Sequence, residues 1–268
     1  MPGEARAVGS TGSLAAVRRV ESRLLASLPR EVVDDLSPQM VGVDHPVGRV
    51  LFEPGDCLEE VIFPCRGMVL SLISVGVGAR PVETALIGTE GATGAILGSP
   101  MPSAFARCSV LAGGTALHVP ADAFRAALAA SPAATARMDC YAQALLAQLH
   151  QAAACAALHP VEARVSRWML GLHDRLGDRP LPMTQESLAE RLGVRRTTIT
   201  RVIGILEEKG LIRHRRSRVQ VLDRDGLERA SCGCYAALRA QFECVAPGLY
   251  PSVAGYGVGG RTRAAAPV

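Results

Sequence analysis

The residues best equipped for chemistry lie between Leu181 and Val221, in LPMTQESLAERLGVRRTTITRVIGILEEKGLIRHRRSRVQV. Arg195, Arg196, Thr197, Thr198, Thr200 and Arg201 crowd the start of one helical stretch. Arg213, His214, Arg215, Arg216 and Arg218 follow within a few residues. An arginine fork can grip guanine O6 and N7 through two parallel hydrogen bonds, worth about 1–3 kcal/mol of discrimination. Threonine hydroxyls reach phosphate, and their methyls meet the thymine methyl. The second basic group suits backbone phosphates, which position a protein without reading sequence. Thr184 and Gln185, at the start of the preceding helix, complete the set expected to face double-stranded DNA.

These side chains need a helix, a turn, a second helix and a hairpin to hold them. Thr184 caps the first helix, and Leu188, Ala189 and Leu192 form its buried face. Gly193 supplies the turn, where positive φ is needed. The second helix is predicted from about Arg195 to Lys209. Its inner stripe is Ile199, Val202, Ile203 and Leu206, and Gly210 lies just past its end. Leu211–Ile212 and Val219–Val221 read as two short strands around the basic cluster. The competing reading is a surface helix pair with solvated arginines. Turn spacing, an Arg/Thr outer face and a basic wing agree on the DNA reading.

Charge supports it by where it sits. The 268-residue chain carries a formal +4. From Arg179 to Ala230, twelve basic residues face seven acidic ones, while Glu31 to Glu60 is acidic. Such concentration is the footprint of a polyanion partner. With 49% apolar and 4% aromatic residues, the cores must be aliphatic. No run of about 18 uncharged apolar residues suggests a membrane span. The N-terminal text lacks a signal-peptide core, and the eight cysteines do not suggest a disulfide framework. A cytoplasmic protein is expected.

Residues 1–20 read as disordered. From Val41 to about Pro120, short apolar runs at Val50–Phe52, Val61–Phe63, Met68–Ile73, Val82–Ile87, Cys108–Ala112 and Ala116–Val119 alternate with Gly/Pro turns, including Gly76 to Gly78. Many short strands at this spacing imply a sandwich, barrel or jelly roll. Ser131 to Leu158 reads as one long helix with Pro132 in its first turn. Its stripe of Met138, Tyr141, Leu145, Leu149 and Ala152 suits pairing with a second copy, the alternative being packing on its own β domain. His159-Pro160 ends it, and Val161 to Leu176 is a further helix. The tail after Cys244 is Pro/Gly-rich and expected to be disordered over 245–268.

Taken together, the stretch from about Arg23 to Ala237 resembles the Crp/Fnr-type bacterial transcription regulators. LFEPGDCLEEVIFPCRGMVLSL is similar to that family's first strands, and GVRRTTITRVIGILEEKGLI to its helix-turn-helix. The resemblance implies an α+β chain. Residues 21–130 would be a cyclic-nucleotide-binding-like β jelly roll, 131–160 a dimerisation helix, and 161–235 a winged helix-turn-helix. It also implies a homodimer and contact with RNA polymerase. Arg196 and Arg201 fall on the family's base- and backbone-contacting arginines. Thr197 stands where the cyclic-AMP-responsive members carry a glutamate.

The ligand pocket departs from that pattern. Nucleotide-binding members present Gly-Glu-Leu and, about ten residues on, an Arg-Ser/Thr pair that holds the cyclic phosphate. Here Glu90 precedes Gly91, and the pair reads Ala104-Phe105. A phosphodiester needs a positive fork or a backbone nest, so Gly88, Glu90, Gly91 and Arg107 are the candidates to rebuild one. No cofactor is expected, and cyclic nucleotide is disfavoured. A Fnr-type iron–sulfur cluster fails because the first cysteine is Cys57. Cys232-Gly-Cys234 with Cys244 offers three soft ligands at no standard zinc spacing, so no metal is expected. Cys57, Cys65, Cys108, Cys140 and Cys155 read as small buried hydrophobes. His45, His118, His150, His159 and His173 leave haem ligation as an alternative. No P-loop, nucleophile elbow, HExxH or Rossmann fingerprint points to an enzyme.

Overall fold

In the computed structural model, the described residues are 21–74, 81–94, 103–248 and 250. The expectation for 1–20, the Gly76–Gly78 turn and most of the 245–268 tail lie outside them. Among the described residues, two short α-helices, α1 (Arg23–Ala26) and α2 (Arg30–Leu36), precede eight strands. These are β1 (Val41–His45), β2 (Val50–Phe52), β3 (Glu60–Pro64), β4 (Val69–Ser74), β5 (Val82–Ile87), β6 (Thr93–Gly94), β7 (Arg107–Ala112) and β8 (Gly114–Pro120). They pair antiparallel as β1-β8-β3-β6 and β2-β7-β4-β5. Each sheet interleaves early and late strands, which is the jelly-roll order. Gly113 separates β7 from β8 and lets the chain step from one sheet to the other. Inward positions of β3 and β8 (Val61, Phe63, Leu117, Val119) are fully buried. Phe63 meets Phe124 edge to face with ring centres 5.8 Å apart.

Helix α3 (Ala121–Ala130) leads to the long helix α4 (Pro132–Leu158). The Ser131 hydroxyl caps α4 by accepting from Ala134 N at 3.3 Å, with Pro132 at its first position. Part of the stripe assigned to pairing, Met138, Tyr141 and Leu145, packs instead on this chain's own core. Met138 and Tyr141 are buried in the β domain's own core, and the Tyr141 hydroxyl donates to Ala92 O at 2.6 Å. The face left open carries Asp139, Gln143, Leu146, His150, Ala153 and Ala157, at steps of three and four. Apolarity alone did not separate the two faces, because this helix carries alanines all round.

Helix α5 (Val161–Leu176) is buried on nearly every side, with Val165, Trp168, Met169, Leu170 and Leu172 at its centre. Beyond it come β9 (Leu181–Pro182), α6 (Gln185–Leu192), α7 (Arg196–Glu208), β10 (Ile212–Arg215), β11 (Arg218–Val221), α8 (Arg224–Ala230) and α9 (Cys234–Val245). Helix α9 was not read from the sequence. It turns back onto the N-terminal domain, and Leu238, Phe242, Ala246 and Tyr250 share a core with Leu24, Leu25 and Val33. The tail expected to be disordered from 245 is therefore packed at Ala246 and at Tyr250, whose hydroxyl donates to Asp174 Oδ2 at 3.0 Å. No helix among the described residues is long and apolar enough to cross a membrane.

Candidate nucleic-acid interface

Helix α7 is placed by its neighbours. Thr184 and Ser187 cap α6 reciprocally: Thr184 Oγ1 accepts from Ser187 N, and Ser187 Oγ accepts from Thr184 N, both at 3.0 Å. Gly193 then adopts φ 65°, ψ 33°, which turns the chain into α7. Ile199, Val202, Ile203 and Leu206 are buried against Leu188, Ala189 and Leu192. The outer face is left to Arg195, Arg196, Thr197, Thr200 and Arg201, all exposed, with Thr198 half-buried. Thr200 Oγ1 donates to Gln185 Oε1 at 2.7 Å, so the start of α6 and the middle of α7 are tied on the exposed side. Arg196 Nη1 lies 3.3 Å from Glu186 Oε2 in a solvated pair.

Strands β10 and β11 form the wing, with Arg213 opposite Gln220 and Arg215 opposite Arg218. Strand β9, too short to be read from sequence, adds a third strand beside β11. Arg213, Arg215, Arg216 and Arg218 are exposed, whereas His214 alternates inward and is half-buried. Its backbone N–H donates to Glu207 Oε1 at 2.7 Å, so its contribution is to hold the wing on α7. Arg216 has φ 47°, the sole positive φ outside glycine among the described residues. The left-handed region costs a residue with a Cβ roughly 1–2 kcal/mol. The two-residue Arg216-Ser217 connection places that cation at the wing tip.

The four ligand candidates of the β domain do not converge. Glu90 is 1% exposed and accepts from Gly88 N at 3.0 Å and from Arg175 Nε at 2.8 Å. Gly91 N donates to Gly88 O at 3.1 Å, so these glycine amides already have partners. A Cβ on Gly91 would come within 2.6 Å of the Tyr141 hydroxyl, so this glycine serves close packing. Arg107 points elsewhere and donates to Glu53 Oε2 at 2.8 Å; that hydrogen bond and charge raise its pKa above the ordinary value. Ala104 is buried and Phe105 is 95% exposed.

Residues 163–230 match the family model for the Crp-like helix-turn-helix domain. No curated protein sequence matches the chain. Among solved structures, FixK2 from Bradyrhizobium japonicum superposes with TM-score 0.62 at 12% identity, covering 72% of this chain and 98% of that one. A putative Crp/Fnr-family regulator from Eubacterium rectale gives TM-score 0.59 at 18% identity, covering 78% and 97%. TTHA1359, a Crp/Fnr-family transcriptional regulator from Thermus thermophilus, gives 0.57 at 20%, covering 71% and 97%. This chain has the Crp/Fnr-type regulator fold with a Crp-like helix-turn-helix DNA-binding domain.

In this Crp/Fnr-type fold, the DNA-binding domain is bonded directly to the jelly roll. Trp168 Nε1 donates to Glu83 Oε1 at 2.5 Å, and Arg191 Nη1 to Glu83 Oε2 at 2.7 Å and to Ser71 Oγ at 2.7 Å. Arg175 reaches Glu90, Gly171 O and Leu86 O, and Gln148 of α4 donates to the same Leu86 carbonyl at 3.0 Å. Deeper in α5, Arg224 donates to Asp174 Oδ1 at 2.6 Å, and the Tyr235 hydroxyl donates to Asp174 Oδ2 at 2.8 Å. Apart from the intrahelical Arg175–Gly171 contact, none of these pairs has a sequence signal, because the partners lie 50 to 120 residues apart and share no spacing. The histidines are also engaged: His45 and His118 meet each other at 2.9 Å, and His173 accepts from Arg224 at 2.8 Å. Cys57 is exposed, contrary to its reading as a buried hydrophobe. Cys155 is buried, but among polar partners: its Sγ lies 3.5 Å from Cys232 Sγ.

Proposed function

We propose that this chain is a homodimeric, sequence-specific transcription regulator that reads DNA with the N-terminal end of α7 and grips phosphates with the wing. One observation carries the reading. Arg195, Arg201, Arg213, Arg215, Arg216 and Arg218 are all exposed on one module, and none has an acid within ion-pair distance among the described residues. A row of cations without counter-ions is suited to a polyanion. Arg196 and Arg201 supply base-edge contacts, and Thr184, Thr197, Thr198 and Thr200 short-range contacts to backbone and methyl groups. Gln185 is held by Thr200 at the same surface.

The second copy docks on the open face of α4, where Ala153 and Ala157 allow close helix approach and Leu146 is 50% exposed. A two-fold pair would place its reading helices in successive major grooves, about 34 Å apart. RNA polymerase is the further partner, and the cytoplasm the place of action. Catalysis is not part of the proposal. Nor is gating by cyclic AMP, a reading supported by Glu90 being committed to Arg175 and Arg107 to Glu53.

The test is selection of bound sequences from random duplex DNA with the full chain, followed by fluorescence anisotropy with and without cyclic AMP. A two-fold site bound equally in both conditions supports the proposal. Tightening by cyclic AMP overturns its ligand part, and absence of any enriched site overturns its DNA part.

A further inference from the structure

Four side chains meet at the joint between the long helix and the DNA-binding domain. Cys155 lies in the last turn of α4, and His159 is its C-cap four residues on, a spacing that brings side chains to one face. Cys232 lies in the turn between α8 and α9 and Cys234 is the first residue of α9, with Gly233 between them. Cys155 Sγ is 3.5 Å from Cys232 Sγ, and Cys234 Sγ is 3.4 Å from His159 Nδ1. All four ligand atoms lie within 4.8 Å of one another. The three cysteines are buried and the histidine half-buried.

Those separations can be compared with a metal polyhedron. A tetrahedral ion with bonds of about 2.3 Å to sulfur and about 2.0–2.1 Å to nitrogen has edges of about 3.8 Å between sulfurs and about 3.6 Å from sulfur to nitrogen. We infer that Cys155, His159, Cys232 and Cys234 form a closed Cys3His site for a single divalent zinc-type ion. The donor set is soft to borderline, as thiolate and imidazole are, and four protein ligands leave no open position for substrate. An iron–sulfur cluster would place several irons and sulfides between the ligands and spread them further than the 4.8 Å that holds all four donor atoms here.

The surroundings fit a thiolate site. Gln151 Nε2 donates to Cys234 Sγ at 2.9 Å. Arg164 is close enough to Cys155 and Cys232 to interact with their charge. Three thiolates around a divalent ion leave one net negative charge for that guanidinium to balance. The sequence grouping of Cys232, Cys234 and Cys244 found two of the four ligands. Cys244 is exposed and is not among them, and Cys155 and His159 sit more than 70 residues upstream.

The ligands come in two pairs from opposite sides of the His159-Pro160 joint. The ion therefore fastens the end of α4 to the α8–α9 turn and fixes the angle at which α7 is presented. Removing it, or oxidising its thiolates, frees that joint while leaving the α7 surface chemistry intact.

The test uses the full chain purified under reducing conditions. Expected are one zinc per chain by elemental analysis and, after exchange with Co(II), the strong visible bands and sulfur-to-metal charge transfer of a tetrahedral thiolate site. Cys155→Ser, His159→Ala and Cys232→Ser should lose zinc, whereas Cys57→Ser and Cys244→Ser keep it, and His159→Cys retains it as a four-thiolate site. Folded wild-type protein with no zinc and no tetrahedral cobalt spectrum overturns the assignment, as does iron with acid-labile sulfide or a Cys155–Cys232 disulfide. These readouts involve no DNA, so they stand or fall apart from the DNA-binding proposal.

Discussion

Arg175 of α5 and Glu90 of the jelly roll meet at 2.8 Å with side chains only 3% and 2% exposed. Burial works against the guanidinium charge, and Glu90, Tyr250 and Asp174 together more than offset this, holding the Arg175 pKa above the ordinary arginine value. The contact occupies the loop where a nucleotide-binding relative would be expected to meet its ligand. An internal cation thus stands against the carboxylate, and it belongs to the helix that leads into the DNA-binding domain. We read the pair as the fixed link between the two domains.

Removing one partner strands a buried charge. Glu90→Met should therefore lower stability by about 3–5 kcal/mol, read from the urea midpoint. Arg175→Met should cost a similar amount, and the double variant Glu90→Met with Arg175→Met should cost much less than the two added together. Additive losses in that cycle would show the two residues to be uncoupled.

Trp168 is the one tryptophan of the chain, and its indole N–H is held by Glu83 at the same domain boundary. Glu83 also accepts from Arg191 of α6, so one carboxylate fastens two helices of the DNA-binding domain to β5. Glu83→Ala should shift the tryptophan emission to the red as the boundary opens to water, with the helical circular dichroism kept. An unchanged emission maximum would mean that α5 is held in place without this carboxylate.

At the DNA surface, Arg196 and Arg216 should separate cleanly. Arg196→Ala should relax base preference at one position per half-site, costing about 1–3 kcal/mol on the selected site and little on random duplex. Arg216→Ala should weaken all DNA alike and reduce the salt slope by about 0.9. Arg216→Gly should weaken DNA to the same extent, yet stabilise the fold by about 1 kcal/mol, because glycine accepts φ 47° without strain. Anisotropy over a salt series and thermal melts check all three. Equal losses of Arg196→Ala on specific and random DNA would remove it from base reading.

The parts legible in the sequence were those encoded locally. The Thr184 cap, Gly193 and the Ile199-Val202-Ile203-Leu206 stripe fix α6 and α7 within a few residues of one another, and each was found where expected. The short apolar runs Val61–Phe63 and Ala116–Val119, set off by turns, announced the β domain in the same way. What escaped depends on distant partners. Met138 and Tyr141 carried the right period for a helix interface, but period cannot say whether a neighbour or a second copy covers it. His214 sits among arginines in sequence, and only the strand register turns it inward. Cys155 and His159 gained a meaning only when α9 folded back towards α4 and brought Cys232 and Cys234 with it.

The pair His45–His118 makes stability depend on acid. Their Nε2 atoms are 2.9 Å apart, and His118 Nδ1 bonds Glu60 Oε2 at 2.6 Å. One proton fits between the rings, and a second would set two N–H groups face to face. Burial first, then the facing His118 and Arg49, push the His45 pKa down to about 4, against weaker upward pulls from Asp44 and Glu60. The unfolded chain titrates near the ordinary 6.5, so between about 6.5 and 4 it binds more protons at His45 than the folded chain does. Stability from this group is therefore complete above pH 6.5 and lost as the pH falls through that window, flattening below about 4 where the folded form also takes the proton. His173, held down by burial and Arg224, adds a slope of the same sign. The comparison must therefore be between wild type and His45→Asn, with urea midpoints taken from pH 4 to pH 7.5. The variant should show a shallower decline across the acid side, and identical slopes would place the pH dependence elsewhere.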